Sequence, residues 1–181
     1  MRGEGFGGGC EFCLYFTTKL ITDPELKTPI DRFLAVLSAL AEEGVDYILI
    51  GGFAVALHGS GRTTEDIDIL IRNKEENVAK LRKALNTVFK DNSIEEITSS
   101  ELINYPVIRF IGDETVYIDI IANLGEAFSI ENIQYEEVEL DGVPIRLATA
   151  ESLFRMKEKT YRAVDMQDLT FLSDKIKNEK Q

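Results

Sequence analysis

The 181-residue chain has no tryptophan, a single histidine at position 58, and two cysteines, Cys10 and Cys13. One Cys-x-x-Cys pair with a lone distant His falls short of the four ligands a structural zinc usually takes, and it is too little for a disulfide scaffold. Basic charge is also in short supply: 20 Lys and Arg face 32 Asp and Glu, for a net charge of −12. The deficit is uneven, because residues 151–181 hold seven basic and six acidic side chains while residues 1–150 hold 13 and 26. Such a surface repels polyanions, which excludes bulk electrostatic attachment to DNA, RNA or an anionic membrane, so any nucleotide must be held at a specific site. Long apolar runs are missing as well. Tyr47 to Gly61 carries no formal charge with His58 neutral, but it is 15 residues with four glycines, against the roughly 20 apolar residues of a bilayer span. Met1 to Gly9 has one Arg and one Glu among five glycines and lacks the apolar core of a secretory signal. The expected location is therefore the cytoplasm, with no membrane contact.

What is present is ordinary globular material, 44% hydrophobic and 29% charged, in a length that suits one domain. Residues 1–22 form a Gly-rich N-terminal extension. Gly3, Gly5 and Gly8 satisfy the letter of a dinucleotide fingerprint, yet no strand precedes them to aim the turn. Residues 23–181 read as the domain. Thr28, Pro29 and Asp31 are start signals for a helix over 29–43, with Phe33, Leu34, Leu37 and Leu40 on one face and Gly44 as its stop. Tyr47 to Ile50 is a short apolar strand, and Gly51-Gly52 opens a helical turn that runs to Gly59. Asp66 to Ile71 is a strand, followed by a helix starting near Asn73 with Val78, Leu81 and Leu85 on one side. Val107–Ile111, Thr115–Ile121, Tyr135–Leu140 and Val143–Leu147 are strands, the last two joined as a hairpin through Asp141-Gly142. Thr149 caps a helix to about Thr160 and Asp165–Lys177 forms another, so residues 149–178 make a helical end to the chain. The alternation implies an α/β (α+β) fold, a mixed β-sheet flanked by helices.

Chemistry gathers at three acids. Asp66 and Asp68 lie two apart on a strand and leave the same face, so unpaired they repel. Asp119 sits inside an apolar strand, where an uncompensated carboxylate costs several kcal/mol and calls for a partner. If the two strands are neighbours, the three form a hard oxygen site suited to Mg²⁺ with water and phosphate oxygens in its remaining positions. The Gly51-Gly52 turn supplies the complementary half, since glycine lets backbone approach a ligand and a helix start favours anions. Strand period places Arg62, Thr64, Asp66 and Asp68 on one side, where Arg62 can hold phosphate and Thr64 a ligand oxygen.

The run Ile50-Gly51-Gly52, thirteen intervening residues, Asp66-Ile67-Asp68 and the later Asp119 resembles the signature of the polymerase-beta-type nucleotidyltransferase superfamily. Within it, the spacing of Arg62, Thr64, Asp66 and Asp68 is similar to the small nucleotidyltransferases typified by the AbiEii toxins of type IV toxin-antitoxin systems. That group adds a Lys on the helix after the last strand, matched by Lys157, and an Arg-x-Lys-Asp-x-x-Asp pattern, matched by Arg162, Asp165 and Asp168 with Val164 in place of Lys. The resemblance spans residues 30–172. It implies a nucleotidyltransferase fold and the transfer of a nucleoside monophosphate from an NTP to an acceptor hydroxyl, with pyrophosphate leaving. It further implies that Asp66, Asp68 and Asp119 hold two Mg²⁺ or Mn²⁺ ions about 4 Å apart, and that Asp119 helps deprotonate the acceptor. Gly51, Gly52 and Ser60 would cradle the outgoing phosphates, and Lys157 would offset charge on the pyrophosphate.

Each residue also has a plainer reading. Arg62 can neutralise Asp66 or Glu65, and Lys157 lies on a helix whose charged face includes Arg155, Glu158 and Lys159. Asp165 and Asp168 can serve the helix dipole or orient Arg162 or Lys157, and His58 can simply pack or cap. The acceptor stays open between a tRNA end, a protein hydroxyl and a small molecule. A possible antitoxin partner, a catalytically silent nucleotide-binding or toxin-antitoxin module, and a metal-dependent phosphohydrolase are the alternatives.

Overall fold

The computed structural model describes residues 29–112, 116–125, 128–158, 160 and 162–180. The extension expected over residues 1–22, with Cys10 and Cys13, and the Thr28 cap lie outside the described residues. Helix α1 spans Pro29–Glu42, strand β1 Tyr47–Ile50 and the short helix α2 Gly51–Val55, which passes into a π-helical turn over Ala56–Ser60. Strand β2 (Asp66–Ile71) leads to α3 (Glu75–Phe89), a 3₁₀ turn over Asn92–Glu96, and the one-turn helix α4 (Glu101–Asn104). Strands β3 (Val107–Gly112), β4 (Val116–Ile121), β5 (Tyr135–Leu140) and β6 (Val143–Ala148) follow, then α5 (Ala150–Lys157) and α6 (Ala163–Glu179).

The six strands form one sheet in the order β3-β4-β2-β1-β6-β5. It is mixed, as expected: β2 with β4 and β1 with β6 are parallel, while the β1–β2, β3–β4 and β5–β6 pairs are antiparallel. All four residues of β1 are buried, the pattern of a central strand covered on both faces. Leu37 and Leu40 of α1, Leu81 and Leu85 of α3, and Ile48, Leu49, Ile69, Leu70 and Ile118 of the sheet are almost wholly buried and form the core between helices and strands. Helices α1 and α3 pack side by side, as do α5 and α6. Among the described residues no helix is long and apolar enough to cross a membrane.

The local signals act as read at two places. Thr149 caps α5 by accepting from the Ser152 N–H. Asp141 and Gly142 both take positive φ, 49° and 81°, the two-residue hairpin turn that follows the right-handed twist of β5 and β6. At Asn73 the expectation is corrected. The helix begins at Glu75 with Lys74 at its N-cap position and no side-chain cap, while Asn73 stands one residue further back and donates through Nδ2 to the Ser99 carbonyl. Asn77 takes over the anchoring role, accepting from the Asp46 N–H and donating to the Asp46 and Arg72 carbonyls. The 3₁₀ turn capped by Asp91 and helix α4 lack a long apolar period, and pattern reading passes over them.

The β3–β4 hairpin is seated on α3 through an edge-to-face contact of Phe89 with Phe110, centroids 5.3 Å apart. Gly112 is part of that seat: a Cβ there would lie 2.2 Å from Phe89 Cε1. Gly112→Ala is therefore expected to lower the unfolding free energy by about 1 to 3 kcal/mol, the usual cost of overpacking. Urea denaturation checks it, and an unchanged midpoint would show that Phe89 yields freely.

Candidate active site

Register sets the site. Strand β2 lies between β1 and β4, and Asp68 is the Cα partner of Ile50 on one side and of Asp119 on the other. Asp66 and Asp68 leave the same face of β2, and that face is the one on which Asp119 projects from β4. Carboxylate oxygens of Asp66, Asp68 and Asp119 all lie within 4.8 Å of one another. Asp119 is only 8% exposed, and Asp66 and Asp68 are half-buried. The three acids singled out from the sequence thus converge at the Ile50 end of β1.

The glycine elbow is built into the same spot. Gly51 has φ +70°, and a Cβ on it would fall 1.9 Å from Asp68 Oδ2, so no other residue fits while Asp68 keeps its place. The Gly52 N–H donates to Asp68. A Cβ on Gly52 would meet Arg62 Nη2 at 2.9 Å and Thr64 Oγ1 at 3.0 Å. The glycines therefore let Asp68, Arg62 and Thr64 close around the elbow. Thr64 Oγ1 donates to Asp66 Oδ1 at 2.6 Å and orients that carboxylate. Ser60 lies at the end of the π-helical turn, its Oγ accepting from the Arg62 N–H at 3.4 Å. His58 has the packing role: its Nε2 bonds the Ala148 carbonyl at 2.8 Å, tying this turn to the end of β6.

The expected phosphate cations, Arg62 and Lys157, stand beside the elbow but already have partners. Lys157, 7% exposed, reaches Asp165 at 2.8 Å and Asp168 at 3.0 Å. Arg62 donates through Nη1 to Asp168, not to Asp66 or Glu65, and its buried Nε has no hydrogen-bond partner among the described residues. Arg162 donates through Nε to Asp165 at 2.6 Å. Burial pushes the Asp165 carboxyl up, but the hydrogen bonds from Arg162 and Lys157 outweigh it and hold the group well below the usual carboxylate range. Three cations and two buried acids leave this network one positive charge in excess. The fields of Asp68 and Asp66 add to the Asp165 hydrogen bond in raising the Arg162 pKa. Asp165 and Asp168 thus orient Arg162, Lys157 and Arg62.

Arg109 is the residue that pattern reading misses. It lies on β3 directly opposite Asp119, donating from Nε to Oδ1 at 2.7 Å and from Nη2 to Oδ2 at 2.6 Å. Its Nη2 is also 3.8 Å from Asp66 Oδ2. A usable signal exists: a short hairpin between strands 107–111 and 115–121 sets the lone Arg of one strand against the lone Asp of the other.

The donor set fits a hard divalent cation. Three carboxylates crowd one point, and Asp68 shows the strain: burial, then the charges of Asp66 and Asp119, push its pKa up to about 6 despite the Gly52 N–H and Lys157. A bound cation of charge +2 would reverse that shift.

Residues 30–181 match the family model described as "Nucleotidyl transferase of unknown function (DUF2204)". Among solved structures, the chain is similar to an antigenic nucleotidyltransferase-like protein from Paracoccidioides brasiliensis, with TM-score 0.50 and 16% identity over 78% of this chain and 74% of that one. A crystal structure of ANT(2")-Ia in complex with adenylyl-2"-tobramycin gives TM-score 0.48 and 18% identity, over 80% of this chain and 87% of that one. The solution structure of the antibiotic-resistance factor ANT(2'')-Ia gives 0.49 and 16%, over 91% and 87%. At 16% identity the likeness to the Paracoccidioides brasiliensis protein is one of fold alone. No curated protein matches the sequence.

Two outcomes follow from the electrostatics. Since the folded chain keeps a proton on Asp68 that the unfolded chain has lost between pH 4 and 6, metal-free stability falls as pH rises through that window. Asp68→Asn is expected to be more stable than the parent at pH 8 by roughly 1 to 3 kcal/mol, and no more stable at pH 4. Urea titrations at both pH values without divalent ions check this, and a pH-independent difference contradicts it. Lys157→Met takes one hydrogen bond from each of two buried carboxylates, which keep Arg162 and Arg62 as partners, and is expected to cost about 1 to 3 kcal/mol; a thermal melt within a degree of the parent would show the network to be dispensable.

Proposed function

The chain belongs to the nucleotidyl transferase family matched over residues 30–181, and we propose that it moves a nucleoside monophosphate from an NTP to an acceptor hydroxyl with release of pyrophosphate. The observation that carries this reading is the convergence of Asp66, Asp68 and Asp119 within 4.8 Å against the Gly51 elbow. Mg²⁺ or Mn²⁺ is the cofactor this oxygen set fits, and such ions neutralise phosphate charge and acidify the attacking hydroxyl.

The chain's own residues supply the rest. Asp66, oriented by Thr64, and Asp68, held by the Gly52 N–H, would hold the cation, and Asp119 would complete the ligand set. The acceptor oxygen bonds to the α-phosphorus, the bond from that phosphorus to the bridging oxygen breaks, and pyrophosphate leaves with the electron pair. The hydroxyl proton passes to an Asp119 oxygen. Gly51, Gly52 and Ser60 line the phosphate side. Arg62 and Lys157 act through the surplus positive charge of their network, a preorganised field where charge develops on the leaving group. Acceptors to be offered are tRNA ends, protein hydroxyls and small polyhydroxy molecules. The antitoxin-type partner rests on the AbiEii resemblance alone and has no counterpart in the family match.

A second reading, nucleotide binding without transfer, is favoured by Lys157 being seated in a buried ion network rather than facing the triad freely. Incubation with each α-labelled NTP and Mg²⁺ or Mn²⁺ separates the two. Transfer of label to the chain, to RNA or to a small acceptor is expected, falling about a hundred- to a thousandfold in Asp68→Asn, on the scale of losing one preorganised group in the transition state. Saturable NTP binding with no transfer by the parent would establish the second reading, and release of inorganic phosphate without an acceptor would mark a phosphohydrolase.

A further inference from the structure

We propose that Arg109 is a positioning residue that occupies the acceptor-side cation position of the triad, so that Asp119 joins the metal site only when the guanidinium lets go. The inference rests on the triad being a divalent-cation site. Asp66 and Asp68 each receive one neutral hydrogen bond, from Thr64 and from the Gly52 N–H, and keep further lone pairs for a ligand. Asp119 differs, because both of its oxygens accept from the Arg109 fork at 2.7 and 2.6 Å. Forked pairing of this kind is the strongest arrangement open to a carboxylate without a metal. The three acids are therefore unequal: Asp119 is forked by an internal cation, Asp66 has that cation's Nη2 only at 3.8 Å, and Asp68 has no cation within salt-bridge distance among the described residues.

The hold is built to be released. Arg109 stands on the sheet-edge strand β3 with its side chain 52% exposed, so its own charge stays in water when it departs, and the buried Asp119 passes to the incoming cation. It also has somewhere to rest, since its guanidinium carbon lies 5.8 Å from the centroid of the Tyr117 ring, within cation–π range. Tyr117 is two residues before Asp119 on β4 and shares its face. The guanidinium can roll over Tyr117 without leaving the site. One cation then binds to Asp66 and Asp68 first, and a second binds more weakly because it must displace Arg109. Asp119 becomes free to take the acceptor proton only at that second step.

Mn²⁺ binding to the full chain tests this, followed by electron paramagnetic resonance for the parent, Arg109→Lys and Arg109→Met, with thermal melts in parallel. Two classes of Mn²⁺ are expected in the parent. Arg109→Lys, which keeps the charge but loses the fork, should tighten the weaker class about five- to tenfold, and Arg109→Met at least as much, with the stronger class within about twofold of the parent. Without metal both variants should melt below the parent, and saturating Mn²⁺ should close the gap. Equal tightening of both classes in Arg109→Met with none in Arg109→Lys would reduce Arg109 to a background charge and overturn the proposal. So would a melting gap that survives saturating Mn²⁺, which marks a purely structural pair. Mn²⁺ binding that Asp68→Asn leaves unchanged would sink the cation-site reading as well, whereas binding that depends on Asp68 but not on Arg109 sinks this inference alone.

Discussion

Mutual repulsion among three carboxylates is the constraint around which the rest of the site is organised. Asp66, Asp68 and Asp119 share one face at one end of two adjacent strands, β2 and β4, and without compensation that crowding opposes folding. The chain answers with short-range devices. A glycine at φ +70° leaves room for the Asp68 side chain, a backbone N–H and a threonine hydroxyl each take one carboxylate, and a single forked arginine takes the third. None of these fully neutralises the cluster, and burial followed by the charges of Asp66 and Asp119 keeps the Asp68 pKa raised to about 6. A site left short of positive charge is a site that gains stability from a cation.

Beside it stands the opposite arrangement. Arg62, Lys157 and Arg162 share Asp165 and Asp168, and this second cluster is rich in positive charge where the first is rich in negative. The two are joined by the loop that carries Arg62 and Thr64 into β2, so the acid cluster and the basic network are fixed relative to each other by a few residues of backbone. A triphosphate placed between them would meet cations on one side and the three carboxylates on the other. Lys157 is buried in this network against Asp165 and Asp168.

How far the sequence reached can be judged residue by residue. The convergence of the acids was legible because it depends on strand period and on one adjacency, β2 beside β4, and both are properties of short local patterns. The mixed sheet, the Asp141-Gly142 turn and the Thr149 cap were legible for the same reason. The superfamily resemblance is borne out by the family match and the fold. Partner choice among charged side chains was not legible. Arg62 finds Asp168, 106 residues away, and Arg109 finds Asp119 across a hairpin; such pairings depend on register and packing that composition cannot rank. Asn73 likewise bonds to Ser99 because a 3₁₀ turn without a long apolar period brings that carbonyl within reach.

The central claim is that the acid trio is a divalent-cation site on the nucleotide path. Anomalous diffraction from crystals soaked with Mn²⁺ and a non-hydrolysable NTP addresses it most directly. The account predicts manganese peaks coordinated by Asp66, Asp68 and Asp119, with the triphosphate lying toward Gly51, Gly52 and Ser60. Nucleotide density with no manganese at the three aspartates, or manganese bound elsewhere on the chain, would contradict it.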